Sequence, residues 1–141
     1  MGVAQAFEVN DPNSPARVLI ATQGSTFKDA VRSGVVDHLS KRPAYVKVID
    51  VSALPSVNED EWSAIVVMHT WEMREPQANA KAFVDGARNR HKIVVMSTSG
   101  DGSQKLEGVD AISAASSIAD VPSRVAQITG KVDAILDAAV P

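Results

Sequence analysis

The sequence contains no cysteine. That absence excludes disulfide bonds, thiol nucleophiles, cysteine-ligated zinc and iron–sulfur clusters. It does not identify the cellular compartment, because a lack of cysteine fits oxidising and reducing surroundings equally well. The chemistry of this chain must therefore rest on other side chains, on backbone groups or on a bound cofactor.

Aromatic residues, excess basic charge and long apolar runs are also scarce. Only 4% of the residues are aromatic, and 14 basic residues against 17 acidic ones give a formal net charge of −3. This balance provides no basic patch, so the sequence predicts no nucleic-acid partner. No segment approaches the roughly 20 apolar residues of a membrane span. The 141 residues, 45% of them hydrophobic, suit one compact domain.

The first 16 residues contain a cluster of turn-forming residues that includes two prolines. They are predicted to form an irregular leader before a single domain at residues 17–141. A basic segment followed by a long apolar run, as in a secretory signal, is absent, which favours a cytoplasmic protein. The stretch Val3-Ala4-Gln5-Ala6 has the small-x-small pattern of signal-peptidase sites. A periplasmic or secreted protein after signal-peptide removal is therefore the alternative.

Two apolar patterns alternate from Arg17 onward. Short apolar runs predict five buried strands, at residues 18–21, 45–51, 64–68, 92–96 and 111–115. Apolar residues at three- and four-residue steps predict helices at residues 26–39 and 76–89 and from residue 122 onward. Pro76 is expected in the first turn of the second helix, where proline is tolerated.

Alternating strands and helices predict an α/β fold with a parallel sheet and right-handed crossovers. Five strands in one domain of this size predict a three-layer, doubly wound sheet in the order 2-1-3-4-5. Ligands of such sheets bind beyond the carboxyl ends of the strands, where the strand order reverses. This rule predicts a site at which three loops converge, formed by residues 23–26, 69–74 and 99–102.

The order of elements and the first of these loops resemble the flavodoxin-like superfamily over residues 17–138. In flavodoxins a loop of the form [ST]-x-T-G-x-T wraps the phosphate of FMN. The corresponding segment here is Val18-Leu19-Ile20-Ala21-Thr22-Gln23-Gly24-Ser25-Thr26-Phe27-Lys28. Its glycine comes one residue early, and Phe27 stands where the pattern has threonine. The resemblance implies that residues of this loop hold the phosphate, namely Thr22, Gln23, Gly24, Ser25 and Thr26. Ordinary capping of the following helix is the structural alternative.

The second loop carries an aromatic residue that flavodoxins often use against the flavin ring. His69, Thr70 and Trp71 follow the third strand. The resemblance implies that Trp71 stacks on a flat ligand, since aromatic faces provide large contact areas with defined geometry. The alternative is that Trp71 covers the edge of the hydrophobic core. His69 is interpreted as a residue that polarises a substrate carbonyl or donates to a flavin oxygen. The alternative is a loop histidine with a capping role only.

The third loop of flavodoxins contributes backbone contacts to the flavin ring and often a second aromatic residue. Here Thr98, Ser99, Gly100 and Asp101 occupy that place, with glycine but without an aromatic side chain. An aromatic sandwich around the ring is therefore not available from this loop. Ser99 lacks the G-x-S-x-G turn of a nucleophile, and the three histidines lack metal-binding spacing. The sequence thus predicts neither a catalytic set nor a metal site.

Two functions remain open at this point. The first is a domain that binds FMN for electron transfer with a redox partner protein or for reduction of a small molecule. The second is a flavin-free descendant of the same fold that acts as a binding or interaction module, with export left open. Whether the chain is an enzyme is left undecided by its sequence.

Overall fold

The computed structural model describes residues 2–100, 102–104 and 106–138. Three α-helices and seven strands make up the regular part of these residues. The helices are α1 (Thr26–Ser40), α2 (Ala78–Asp85) and α3 (Val121–Ala138). The strands are β1 (Phe7–Val9), β2 (Ala16–Thr22), β3 (Ala44–Asp50), β4 (Ala64–Glu72), β5 (Glu75–Pro76), β6 (Ile93–Thr98) and β7 (Asp110–Ala114).

The central strands form a parallel sheet in the order β3-β2-β4-β6-β7. Numbered among themselves, these five strands stand in the predicted order 2-1-3-4-5, and the α/β fold is confirmed. Helices α1 and α3 cover one face, where they pack on Val18, Val66 and their neighbours. Helix α2 and a 3-10 turn at Val51–Ser56 cover the other face. The expected three layers are therefore present.

Two short strands extend the predicted sheet. Phe7–Val9, expected to be irregular, pairs antiparallel with the outer edge of β3. The alternation Phe-Glu-Val suits an edge strand, and the hydroxyl of Tyr45 on β3 donates to the Glu8 carboxylate. The expectation of a wholly irregular leader was therefore wrong, whereas the domain boundary at residue 16 stays a prediction.

The second loop differs most from its prediction. Strand β4 continues through His69 and Trp71 to Glu72 instead of ending at Met68. It turns at Met73 and Arg74, whose φ angles of 50° and 66° are left-handed, and returns as β5. Two consecutive left-handed residues are characteristic of tight hairpin turns. Pro76 therefore lies in an edge strand, which tolerates proline, and not in a helix. Helix α2 begins two residues later, capped by Gln77.

No helix within the described residues is both long and apolar enough to cross a bilayer. The longest, α3, spans 18 residues and buries only one stripe, which includes Ile128, Val132 and Leu136. That stripe packs on the sheet and on α1.

Gly34 sets the distance between α1 and α3. A Cβ atom built on it would lie 2.6 Å from Cγ2 of Val125, a contact that requires the Val125 side chain or its helix to shift. We expect Gly34→Ala to lower the free energy of unfolding by about 1–3 kcal/mol, the usual cost of overpacking. Urea denaturation measures this change.

Gly130 provides the matched control, because it lies in α3 with open space where its Cβ would be. Gly130→Ala should stabilise the protein by up to about 1 kcal/mol through helix propensity. Adding Val125→Ala to Gly34→Ala should restore part of the loss. A stabilising Gly34→Ala would show that the helices separate freely.

Candidate functional site

A cleft of about 470 Å³ opens at the carboxyl edge of the sheet. It lies where the strand order reverses, since β2 leads to β3 on one side and β4 leads to β6 and β7 on the other. The loops that follow β2, β6 and β7 line it together with the end of β4. Its lining residues are Ser25, Thr26, Phe27, Lys28, Thr70, Trp71, Thr98, Ser99, Gly100, Ala115, Ser116 and Ile118.

The amino terminus of α1 forms one end of the cleft. Ser25 is the N-cap residue, with extended backbone, and its hydroxyl accepts a hydrogen bond from the Lys28 amide at 3.1 Å. The first amides of a helix have no partner within the helix, and the helix dipole makes this end attractive to anions. Thr26, exposed at the same end, adds a hydroxyl group. This end of the cleft is suited to a negatively charged group.

Lys28 is the charged residue that sequence reasoning missed. It lines the cleft, yet only 1% of its surface is exposed. Burial lowers the pKa of the Lys28 ammonium to about 8, although the carboxylates of Glu72 and Asp29 act in the opposite direction. A strongly perturbed, buried charge in a cleft is characteristic of functional sites. Its position in the first helical turn after the predicted phosphate loop was the available signal.

The ends of β4 and β6 form the floor of the cleft. The hydroxyl groups of Thr70 and Thr98 lie 3.2 Å apart across the two strands. The Thr70 amide donates to Oε1 of Gln23 at 2.7 Å, which ties the loop after β2 to the end of β4. These contacts hold the first two loops in a fixed relation beside the cleft.

Trp71 contacts both the hydrophobic core and the cleft. Its side chain is partly buried against the core beneath α2, and it also lines the cleft. Its indole Nε1 is buried and has no hydrogen-bond partner within the described part of the chain. A buried indole N–H usually finds a hydrogen-bond partner, so this unpaired donor is an unusual feature of a residue that lines the cleft. The interpretation of Trp71 as a cover of the core edge therefore agrees with the structure, while its stacking on a flat ligand stays a prediction.

Four of the predicted site residues do not line the cleft. Thr22 is fully buried, and its hydroxyl donates to the carbonyl of Gln23. Gln23 uses its side chain to hold Thr70. Gly24 forms an antiparallel bridge with Gly2, in which the Gly24 amide donates to the Gly2 carbonyl at 2.7 Å. The expectation that this amide faces a phosphate is therefore wrong in this structure.

His69 is the fourth residue outside the cleft. It is completely buried in the sheet, where Nε2 lies 2.7 Å from Oγ of Ser97 and Nδ1 has no partner. Burial lowers the pKa of the imidazole to about 4, so the ring is neutral near pH 7. Side chains alternate along a strand, so His69 and the neighbouring Thr70 point to opposite faces. The expected direct contact between His69 and a ligand does not fit this placement.

The remaining predicted site residues lie together at the carboxyl edge of the sheet, as the topology implies. Ser25, Thr26, Thr70, Trp71, Thr98, Ser99 and Gly100 all line the cleft. Asp101 lies outside the described residues. Four further lining residues were not predicted, namely Phe27, Ala115, Ser116 and Ile118. The last three follow β7, whose carboxyl end meets the same edge of the sheet, so the rule that selected the other loops could have found them.

We expect Trp71→Ala to lower the free energy of unfolding by about 1–3 kcal/mol, because the ring is only partly buried. Trp62 is the matched control, since it is 7% exposed and stacks on Tyr45 inside the core. Trp62→Ala should cost about 3–5 kcal/mol. Chemical denaturation compares the two. Equal losses would identify Trp71 as a packing residue alone.

This architecture is similar to that of a known protein. The solved structure of a flavodoxin from the domain Archaea superposes on this chain with a TM-score of 0.55. The match covers 84% of this chain and 98% of that chain at 13% sequence identity. No protein-family model matches the sequence, and no curated protein matches it either. The fold is thus flavodoxin-like, with the short strands β1 and β5 as additions to the five central strands.

Proposed function

We propose that this flavodoxin-like domain binds FMN in the cleft and serves electron transfer or the reduction of a small molecule. The observation that carries the proposal is the pairing of two surfaces in one cleft. One end has the amino terminus of α1, and the wall has Trp71, whose indole N–H has no partner within the described residues. FMN has the matching parts, namely an anionic phosphate and a flat ring with acceptor atoms.

The residues present fit FMN in a definite arrangement. Ser25 and Thr26 would hold the phosphate through the first amides of α1 and the Thr26 hydroxyl. Trp71 would cover one side of the ring, and the loop from Thr98 to Gly100 would contact its edge. The loop after β6 contributes no aromatic residue, so a second stacking partner is not available from that loop. When bound, FMN would supply reversible uptake of one or two electrons, while the chain binds the ring, orients it and limits its contact with water.

A visible spectrum of the purified protein, followed by titration with FMN, tests the proposal. We expect a yellow protein, or quenching of flavin fluorescence at micromolar FMN for protein purified without flavin. Colourless protein that leaves flavin fluorescence unchanged at tens of micromolar FMN would contradict it.

Thr26→Val tests the phosphate end with minimal change of shape. Losing one hydrogen bond to a charged group should weaken FMN binding by about 1.5–3 kcal/mol, roughly tenfold or more. Riboflavin, which lacks the phosphate, should bind wild type and variant equally. Equal loss of both ligands would show that Thr26 shapes the loop and does not contact phosphate.

A specific observation favours the second candidate, a flavin-free binding module. The Gly24 amide, which a wrapped phosphate would need, is bonded to Gly2, and a Cβ on Gly24 would lie 2.9 Å from the Val3 carbonyl. Removing residues 1–4 frees that amide. If neither the full chain nor the shortened one binds FMN, the flavin-free function is favoured.

A further inference from the structure

We propose that Ile118 forms a second wall of the ring site, so that the cleft holds a planar heteroaromatic ligand between the indole of Trp71 and an aliphatic side chain. The inference deepens the proposed function and rests on it for the identity of the ring. It assigns the second wall to the loop after β7 and not to the loop after β6, which has no aromatic residue.

Ile118 is an apolar side chain that the fold leaves open to solvent at the cleft. Its exposed fraction is 56%, and it lines the cleft. The other three large apolar side chains that are exposed in the described residues, Val3, Phe7 and Met73, do not line it. A single exposed apolar side chain on an open surface needs no explanation, but one that faces a concave site gains free energy when a ligand covers it.

Trp71 and Ile118 reach the cleft from opposite faces of the sheet. Trp71 packs against the core beneath α2. The other residue begins the 3-10 turn Ile118–Asp120, which leads directly into α3 on the other face. The end of β6, with Thr98 and Gly100, lies between them in the order of the strands. The cleft is therefore bounded by a large apolar side chain on each side.

The spacing of the strands suits the thickness of one aromatic ring. Strand β6 stands between β4 and β7, so the ends of the outer two are two strand spacings apart, or roughly 10 Å. A planar ring in contact with both walls needs about 7–8 Å between the wall atoms, because each van der Waals contact takes about 3.5–4.0 Å. A Cβ atom built on Gly100 would meet no atom within 4 Å, so the end of β6 leaves open space for the ring.

The loop after β7 is held in place by the structure around it. The Ser99 amide donates to the Ala114 carbonyl at 3.0 Å, which ties the loop after β6 to the end of β7. A Cβ atom built on Gly102 would lie 3.1 Å from that of Ala115, so the two loops also pack closely. Ser116 has a left-handed φ of 61°, which persists in residues other than glycine where the surrounding structure determines it. A wall fixed in this way loses little freedom when a ring binds.

Three flavins with the same ring test the second wall. Fluorescence titrations with FMN, riboflavin and lumiflavin would compare wild type with Ile118→Ser and Met73→Ser. Met73 is the matched control, since it is 97% exposed at the turn between β4 and β5 and does not line the cleft. We expect Ile118→Ser to weaken the binding of all three flavins by the same factor, about five- to tenfold. Met73→Ser should alter none of the affinities.

Ile118→Tyr adds a readout that a merely structural role would not produce. An aromatic side chain at this place would stack on the ring, so all three flavins should bind about threefold more tightly or better. Because Ile118 is largely exposed, the variants should unfold at temperatures close to that of wild type. Thermal unfolding establishes this before the affinities are compared.

The outcomes separate this inference from the proposed function. If wild type binds FMN and Ile118→Ser keeps its affinity, or if the variant weakens FMN but not lumiflavin, the inference is wrong while flavin binding stands. If wild type binds no flavin, the proposed function fails, and 2-naphthoate becomes the planar probe in nuclear magnetic resonance titrations. Naphthoate shifts of the Trp71 indole N–H that need about fivefold more probe in Ile118→Ser would then support the inference. Their absence in wild type, or equal shifts in the variant, would overturn it.

Discussion

Lowering the pH from 7 to 5 should destabilise the folded protein by about 2 kcal/mol through His69 alone. In the unfolded chain the imidazole takes up a proton near its ordinary pKa of about 6.5. In the fold, burial lowers that pKa to about 4, so the folded state resists protonation. The contribution of His69 to stability is therefore complete above pH 6.5 and is lost as the pH falls towards 4. Urea denaturation at pH 7, 6 and 5 measures it.

The control for this prediction is His91, which is exposed. His69→Gln should remove most of the pH dependence between 7 and 5, whatever its effect on stability at pH 7, whereas His91→Gln should leave it unchanged. The carboxyl groups of Asp50 and Glu59 also have lowered pKa values, but they lose their contribution at more acidic pH. The same pH dependence in His69→Gln as in wild type would show that the ring is reached by water.

Lys28→Met should stabilise the protein at pH 7 by up to about 3 kcal/mol. The pKa of Lys28 falls from 10.5 to about 8 in the fold, which means that the fold penalises the ammonium. That penalty is complete below pH 8 and is relieved as the pH rises towards 10.5. The stability of wild type should therefore rise by about 2 kcal/mol between pH 7 and 9.5.

The same pH series with Lys28→Met, and with Lys41→Met as the control at an exposed lysine, tests this interpretation. The rise in stability should disappear in the first variant and persist in the second. The pH series ends at 9.5 so that Tyr45 does not contribute to it. Burial raises the pKa of Tyr45 to about 12, so this residue lowers the free energy of unfolding only above about pH 10. A variant less stable than wild type at pH 7 would mean that the interactions of Lys28 within the protein outweigh the cost of burying it.

The strands β2, β3, β4 and β6 could be predicted because each is largely buried on both faces and is therefore apolar along most of its length. Residues such as Val18, Ile20, Val66 and Val94 are completely buried. Strands β1 and β5 have no such signal, since each has three residues or fewer and lies at an edge. They form because β3 and β4 provide backbone groups to pair with.

The site was predicted at the level of loops but not of side chains. Topology alone brings the carboxyl ends of parallel strands together, which placed Thr26, Trp71 and Ser99 at one cleft. Which side chains enter the cleft depends on the face of the strand to which each one points. The sequence predicted an earlier end for β4, so it did not assign a face to the residues beyond Met68. That extension assigned His69 to the interior and Thr70 to the cleft.

The sequence by itself determined the class of fold and the order of its five central strands, and it predicted the edge of the sheet at which a ligand would bind. The strands and helices follow from apolar periodicity, which a short window of the sequence carries. The fixed handedness of the crossovers then restricts how these elements can be arranged. Only the tertiary structure decided that Gly24 pairs with Gly2 and that Lys28 is buried. Both depend on contacts between segments distant in the chain, because hydrogen-bond partners and burial belong to the packed whole and not to the residue.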